Sequence, residues 1–185
     1  MYFIGDYFNG ERNGIGKRYY NNGSLFFKGD FLNGKIWSGK IYNIYGKMEC
    51  KIKNGKGLIK LYDYFGNIKF EGEYLNGQKN GKGKEYHSNC VLYFEGEYLN
   101  GKRNGIGKEY YSNGELNYGG EYSNGERHGK GKEYYFNGKL VFDGSYLNGD
   151  RNGKGKEYNY DGKLEFEGEY LNGERWDGKG KEYYE

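Results

Sequence analysis

The sequence repeats with a period of 24 residues, and this period restricts the folds that the chain can form. Gly-x-Tyr steps recur at this spacing from Gly72 to Gly168, in the local pattern Phe-Glu-Gly-Glu-Tyr-Leu-Asn-Gly. A unit this short cannot bury an apolar face alone, so it must stack on its neighbours. The period therefore predicts a repeat array whose function lies in an extended surface and not in a catalytic pocket.

The repeat fills the chain, so we expect a single array over residues 1–185. Repeats two and three are irregular, because 43 residues separate Gly29 from Gly72 in place of 48. A different loop shape explains this irregularity, and a bend or docking point is the alternative. The eight repeats lie near 1–23, 24–46, 47–66, 67–90, 91–114, 115–138, 139–162 and 163–185.

The seventh repeat has the pattern of a β-hairpin. Residues 140–146, Leu-Val-Phe-Asp-Gly-Ser-Tyr, alternate with the period of a half-buried strand. Residues 148–153 predict a loop, and residues 155–158 a second strand. Asp161-Gly162 and the corresponding Asn-Gly pairs then predict two-residue type I′ turns between hairpins. The expected fold is all-β, an elongated single-sheet antiparallel β-hairpin meander, or solenoid, of about eight 24-residue units.

Centring that loop between Gly149 and Arg151 places Tyr146 opposite Gly155, so that the tyrosine ring covers a glycine. The other repeats should pair in the same way: Tyr7 with Gly16, Tyr74 with Gly83, Tyr98 with Gly107 and Tyr122 with Gly131. Four further tyrosines depart from strict alternation, and a bulge would turn them toward the rings. They are Tyr86, Tyr110, Tyr134 and Tyr158.

Residues 94–107, Phe-Glu-Gly-Glu-Tyr-Leu-Asn-Gly-Lys-Arg-Asn-Gly-Ile-Gly, closely resemble the MORN (membrane occupation and recognition nexus) repeat. Compared with the typical MORN repeat, this sequence has Tyr or Phe in place of the usual Trp and, in most repeats, Asn in place of the usual His. Each repeat is also one residue longer. The Lys-Glu-Tyr-Tyr that follows is more similar to variant MORN repeats of bacterial proteins. This resemblance implies an elongated hairpin array that binds proteins or membranes and often dimerises, with no catalytic role.

Charge and composition argue against several other functions. The net charge is only +3, from 29 basic and 26 acidic residues, so we expect no nucleic-acid partner. Cys50 and Cys90 match no metal-ligand spacing, and His87 and His128 occupy different repeat positions, so we expect no enzyme, metal or cofactor. Free thiols and the absence of a signal peptide predict a cytoplasmic protein, at the inner membrane surface if it binds lipid.

The aromatic side chains of the predicted ring face suggest a trough that binds protein partners, because one sheet has no second layer to cover them. The alternative is that the rings pack on one another and on the glycines until little is exposed. The expected trough residues are Tyr7, Phe31, Tyr74, Tyr98, Tyr122, Tyr146 and Tyr170, with Phe70, Phe94, Tyr118, Phe142 and Phe166.

A basic residue recurs in the expected long loop and suggests the second hypothesis, a peripheral adaptor that binds anionic phospholipids. The competing interpretation is that these residues brace the loop or neutralise the acids beside them. Unpaired strands at both ends also predict a homodimer, through free edges or aromatic faces, or a longer array. The candidate lipid contacts are Arg12, Lys79, Arg103, Arg127, Arg151 and Arg175.

Overall fold

The computed structural model describes residues 2–63 and 65–181, which form strands and turns without any helix. Each strand pairs antiparallel with the next along the chain within its sheet, which confirms the all-β meander of hairpins. The strands are β1 (Tyr2–Phe8), β2 (Glu11–Tyr19), β3 (Leu25–Leu32), β4 (Lys35–Tyr42), β5 (Met48–Ile52), β6 (Gly57–Tyr62), β7 (Ile68–Leu75), β8 (Gln78–Tyr86), β9 (Leu92–Leu99), β10 (Lys102–Tyr110), β11 (Leu116–Ser123), β12 (Glu126–Tyr134), β13 (Leu140–Leu147), β14 (Asp150–Tyr158), β15 (Leu164–Leu171) and β16 (Glu174–Gly180).

The meander is divided into two sheets, β1–β5 and β6–β16. The division falls in the irregular third repeat, where β5 and β6 have five and six residues. Its hairpin is closed only by an isolated bridge between Lys53 and Lys56. The chain also separates into two compact units: an N-terminal body of residues 1–91 and 98–101, and a C-terminal body of residues 92–97 and 102–185.

Two-residue Asn-Gly turns close the hairpins from β1–β2 to β15–β16. In Asn148-Gly149, for example, φ is 50° at the asparagine and 95° at the glycine. Positive φ at both residues is what a type I′ turn requires, and Asn and Gly tolerate it best. The predicted loop over residues 148–153 is therefore wrong, because β14 already begins at Asp150.

The connections between hairpins are longer than the predicted two-residue turns. In the connection after β10, the Gly114 amide donates to the Tyr111 carbonyl at 2.9 Å, and the Tyr111 amide to the Glu115 carbonyl at 2.8 Å. Only the glycine has positive φ, 90°. This is a type I turn followed by a left-handed residue, the usual three-residue hairpin loop. The type I′ turns were thus predicted at the wrong end of each hairpin.

The register follows from the short turns and corrects the expected ring pairing. In β13–β14, Tyr146 lies opposite Arg151, and Gly144 lies opposite Gly155. Each tyrosine instead approaches the glycine of the preceding repeat, as Tyr170 does at Gly155. The pairings expected within a repeat are wrong for the same reason: Tyr7 with Gly16, Tyr74 with Gly83, Tyr98 with Gly107 and Tyr122 with Gly131.

A phenylalanine fills the space that the paired glycines leave. A Cβ added to Gly144 would lie 2.5 Å from Cζ of Phe142, and one added to Gly155 would lie 2.5 Å from its Cε2. The ring of Tyr170 stands edge-on, with centroids 5.0 Å apart. Such a pair contributes about 0.5–1.5 kcal/mol beyond burial. Equivalent rings over paired glycines are Phe70 at Gly72 and Gly83, Phe94 at Gly96 and Gly107, and Tyr118 at Gly120 and Gly131.

The bulge expected before the second tyrosine of a repeat is present, as a register shift between Glu109 and Tyr110. It does not turn the tyrosine toward the rings, however. The Tyr110 hydroxyl donates to Glu95 at 2.7 Å, as Tyr86 does to Glu71. These tyrosines therefore pair with glutamates on the outer face, the face opposite the rings.

The N-terminal body has a different core, made of aliphatic as well as aromatic side chains. Phe27, Ile41 and Tyr20 are fully buried, and the Tyr20 hydroxyl donates to the Tyr42 carbonyl at 2.9 Å. Strands of both sheets contribute, since Ile59 of β6 joins the same cluster. Repeats two and three thus bury branched aliphatic residues where regular repeats have glycines and charges.

We expect Gly155→Ala to lower the free energy of unfolding by about 1–3 kcal/mol, because its methyl group would overlap the Phe142 ring. Gly119→Ala is the matched control: its Cβ would meet only Lys108 Cγ, at 3.8 Å, and should change stability by less than about 1 kcal/mol. Urea unfolding of both variants measures the difference. Equal effects would show that the rings do not require these glycines.

Candidate functional site

The predicted aromatic trough is largely closed. Ten of its twelve side chains are buried, whereas Tyr7 is exposed and Tyr74 is half-buried. The rings fill the glycine gaps and stand edge-to-face on one another, as Phe94 and Tyr122 do with centroids 5.3 Å apart. This corrects the expectation of an open trough and agrees with the alternative of rings packed on glycines. A contact between these rings and a partner stays a prediction.

The six basic residues of the lipid hypothesis also lie elsewhere than expected. They occupy strands, not loops, and four of their guanidinium groups cover aromatic rings in the C-terminal body. The Cζ atoms of Arg103, Arg127 and Arg151 lie 4.1, 4.3 and 4.4 Å from the centroids of the rings beneath them. Arg175 has the same position over Phe166 at 5.3 Å. Cation–π contacts of this kind contribute about 0.5–2 kcal/mol each.

Glutamates join these arginines into a continuous chain of ion pairs, which we call the Arg–Glu ladder. Glu133 accepts from Arg127 Nη1 and from Arg151 Nη2, both at 2.5 Å. Arg127 also donates to Glu109 at 2.7 Å. Most of both side chains is buried, with 22% of Arg127 and 12% of Glu109 exposed. In order, the ladder runs through Arg103, Glu109, Arg127, Glu133, Arg151, Glu157, Arg175 and Glu165.

The N-terminal body contains the other two of the six basic residues, Lys79 and Arg12. Lys79 pairs with Glu85, and its ammonium lies 4.4 Å from the Phe70 centroid. Arg12 lies over Phe3 at 5.1 Å. All six candidate lipid contacts therefore lie over aromatic rings, and lipid binding by these residues stays a prediction.

Ion pairs and hydrogen bonds favour the charged forms of two ladder residues, Glu157 and Arg127. Burial alone would raise the pKa of Glu157, but hydrogen bonds from Arg175, Arg151 and Tyr170 outweigh it and lower the pKa. Burial by itself would lower the pKa of Arg127, yet Glu109 and Glu133 raise it. Glu157 and Arg127 therefore stay ionised at neutral pH.

The tyrosine hydroxyls beside the ladder are poor acids. Burial, together with the charge of Glu157, raises the pKa of Tyr170 to about 12, and its hydroxyl donates to Glu157 at 3.0 Å. Tyr122 and Tyr146 are buried with no hydrogen-bond partner for the hydroxyl, and burial raises their pKa further. None of these groups can donate or accept a proton readily near pH 7.

Apolar side chains are exposed at the residue that precedes most of the Asn-Gly turns, along what we call the turn edge, while Lys53 and Ser123 hold this position at two turns. In the N-terminal body Leu75 and Leu99 are 42% and 50% exposed, and Phe8 is 65% exposed. In the C-terminal body Leu147 and Leu171 are 45% and 42% exposed. Each turn is tied to the one before it, as when the Gly101 amide donates to the Lys79 carbonyl at 2.9 Å.

Comparison with known families identifies the repeat. Residues 3–25, 70–90 and 94–115 match the MORN repeat, and residues 127–148 and 151–172 match the MORN repeat variant. Together these segments span more than half of the 185 residues. The chain belongs to the MORN repeat family. No curated protein matches it.

The two kinds of match follow one another along this MORN array. The variant matches lie within the C-terminal body, which also contains most of the standard match over residues 94–115. Residues 26–69 lie between matched segments and contain the irregular repeats and the division between sheets. Repeats two and three are thus the part of the MORN array that departs most from its family.

The glutamates of the Arg–Glu ladder were not predicted from the sequence as partners of the arginines. Acids next to the arginines, such as Glu126 and Asp150, were expected to neutralise them. The actual partners lie six residues after each arginine, as Glu133 follows Arg127 and Glu157 follows Arg151. An even spacing places two residues on the same face of a strand, so this signal was present in the sequence.

Among residues 2–63 and 65–181, no group of His, Cys, Asp and Glu is arranged to hold a metal ion. The same residues contain no helix long and apolar enough to cross a bilayer. Cys50 and Cys90 are free thiols, with Cys90 at a φ of 63° in a turn position that glycine occupies elsewhere.

We expect Glu133→Gln to lower the free energy of unfolding by about 1–3 kcal/mol, because it leaves two buried guanidinium groups without their shared carboxylate. Glu126→Gln makes the same change on an exposed side chain and should alter stability by less than about 0.5 kcal/mol. Chemical unfolding of both variants tests this. A Glu133→Gln protein as stable as the control would mean that the ladder contributes nothing.

Proposed function

We propose that this MORN array is a non-catalytic interaction protein that binds a protein partner along its turn edge. The observation that carries the proposal is the exposure of Leu75 and Leu99 in the N-terminal body and of Leu147 and Leu171 in the C-terminal body, whereas most of the rings and of the ladder side chains are covered. Contiguous exposed apolar groups with a polar rim typically mark interaction surfaces. The partner surface is therefore proposed at the turn edge and not in the trough expected from the sequence.

The backbone supports this use of the turn edge by fixing its spacing. Successive turns are joined by hydrogen bonds, for example from the Gly77 amide to the Gly55 carbonyl and from the Gly173 amide to the Arg151 carbonyl, both 2.9 Å. Because each hairpin adds two strands about 4.8 Å apart, equivalent side chains recur roughly every 10 Å. A preorganised row of apolar side chains loses little conformational entropy on binding.

The charges beside the turn edge favour a protein over an anionic membrane. The residues paired across the turns carry both signs: Glu11, Lys35, Asp150 and Glu174, with the neutral Gln78 at a fifth turn. The ladder arginines already bind glutamates. A membrane surface gains little from alternating charge, so the peripheral membrane adaptor is the weaker of the two hypotheses.

Two further observations support a binding role in a reducing compartment. The tyrosine hydroxyls along the ladder have raised pKa values and are unsuited to proton transfer at neutral pH. The thiols of Cys50 and Cys90 are unpaired, as is usual where glutathione keeps cysteines reduced. We propose a cytoplasmic location on this basis.

The test compares two double variants, each with two added lysines. Leu75→Lys with Leu99→Lys changes the turn edge, and Ile15→Lys with Leu58→Lys changes two strand residues that are 70% and 71% exposed. Affinity capture from the source cells, with quantitative mass spectrometry, measures recovery of bound proteins. We expect the turn-edge variant to lose its partner at least about ten-fold, as two unfavourable contacts would cause, and the control to retain it.

Equal recovery by both variants, or equal loss from both, would contradict the turn edge as the contact surface. Recovery of a second, differently tagged copy of the chain would replace the foreign partner with self-association. Sedimentation with phosphatidylserine vesicles at physiological salt, without capture of any protein, would favour the membrane adaptor instead.

A further inference from the structure

The N-terminal body contains a cleft of about 630 Å³. Side chains from β2, β3, β4, β6 and β7 line it, among them Arg18, Ile36, Leu61 and Tyr74. This volume falls within the roughly 300–1,000 Å³ of most small-molecule sites. The cleft therefore has the size of a ligand pocket, and at one side it reaches Gly34 and Gly77 of two Asn-Gly turns.

The cleft arises because the Arg–Glu ladder is replaced in the first three repeats. In regular repeats a glutamate lies opposite the glycine-bound ring, as Glu133 does opposite Phe142 and Glu157 opposite Phe166. The residue in that position is Arg18 in repeat one and Leu61 in repeat three. At this position, repeats two and three thus have an apolar residue in place of the glutamate, while repeat one has a residue of the opposite charge.

The second repeat completes the replacement. Ile36 lies opposite Phe31, the position that Arg151 occupies opposite Tyr146, and Ile41 lies opposite Phe27 where the ladder has glutamate. One wall of the cleft is therefore apolar where regular repeats carry an ion pair.

The charged side chains of the cleft are mainly basic. Arg18, Lys35 and Lys69 line it, against the single carboxylate of Asp63. Burial lowers the pKa of Arg18, and the positive charge of Arg12 lowers it further, while Tyr74 acts in the opposite direction. An anion placed beside Arg18, Lys35 and Lys69 would be stabilised by their positive charges.

The remaining walls suit an apolar group. The Arg18 Cζ lies 5.3 Å from the centroid of Phe26, and Ile36, Leu61 and Tyr74 face the same cleft. The Tyr20 hydroxyl, which also lines the cleft, is already bonded to the Tyr42 carbonyl. A few polar groups beside apolar walls are typical of small-molecule sites.

We propose that this cleft binds a small amphipathic anion, with its carboxylate or phosphate on Arg18 and its apolar body against Ile36, Leu61 and Tyr74. Arg18 is suited to this because a guanidinium presents paired donors that match both anions. The cleft would thus add a small-molecule site to a chain whose proposed function is to bind a protein, and the two sites can be tested independently.

The experiment follows 8-anilinonaphthalene-1-sulfonate fluorescence during titration of the full chain, followed by displacement with dodecanoate, dodecyl phosphate or dodecyltrimethylammonium below their micelle concentrations. We expect one saturable site and displacement by one or both anions but not by the cation. The anion that displaces at lower concentration separates carboxylate from phosphate recognition. Equal displacement by the cation, or no saturable binding, would overturn the proposal.

Arg18→Glu installs the residue that regular repeats carry and should weaken the anionic probes at least about ten-fold, since it removes a charged hydrogen-bond donor. Lys17→Glu makes the same change of charge on the exposed adjacent residue and should leave binding within about two-fold. Arg18→Gln removes the positive charge and the paired guanidinium donors without adding a negative charge, and it should reproduce the loss. Retained binding in Arg18→Gln, with circular dichroism showing a folded chain, would overturn the assignment to Arg18.

Discussion

An aromatic ring held against two glycines and covered by an arginine is the contact on which each regular repeat depends. Two strands joined by a turn are marginal in water, so a hairpin needs a further layer to persist. In this MORN array the layer is Phe142 on Gly144 and Gly155, with Arg151 over the ring. Because Tyr170 of the next repeat stands against the same ring, neighbouring repeats share each contact.

The Arg–Glu ladder adds specificity more than stability. Replacing a partly buried ion pair with apolar residues is often neutral or stabilising, whereas removing one partner is costly. The N-terminal body contains such a replacement, because Ile36 and Ile41 take the positions of arginine and glutamate. Since one glutamate binds the arginines of two repeats, the ladder penalises any slip of register. Where it is absent, the interior becomes an aliphatic core with a cleft.

The repeat period and the alternation of residues in β13 were sufficient to predict hairpins, antiparallel order and the all-β class. They were insufficient for register, because several repeats, the seventh among them, have more than one Asn-Gly pair that could form the turn. Asn148-Gly149 forms the type I′ turn, while Asn152-Gly153 lies within β14. Assigning both pairs to one loop shifted Tyr146 away from its true neighbour, Arg151. The rings were expected to be exposed because a single sheet has no second layer, whereas in the structure Arg151 covers the Phe142 ring.

The candidate site was harder to predict for the same reason. Once the arginines were assigned to a loop, Glu133 and Glu157 had no reason to be their partners. A strand running from Arg151 to Glu157 gives both residues the same face, and the ladder then follows. The cleft depends on contacts between distant strands such as β2 and β7, which no local pattern specifies.

A double-mutant cycle between Phe142 and Gly155 tests most directly whether the glycine exists to accommodate the ring. Phe142→Leu, Gly155→Ala and the double variant would be compared by urea unfolding. If the ring requires the glycine, the smaller leucine relieves the overlap. The double variant then loses less unfolding free energy than the two single variants together, by at least about 1 kcal/mol. Additivity within about 0.5 kcal/mol would contradict the account.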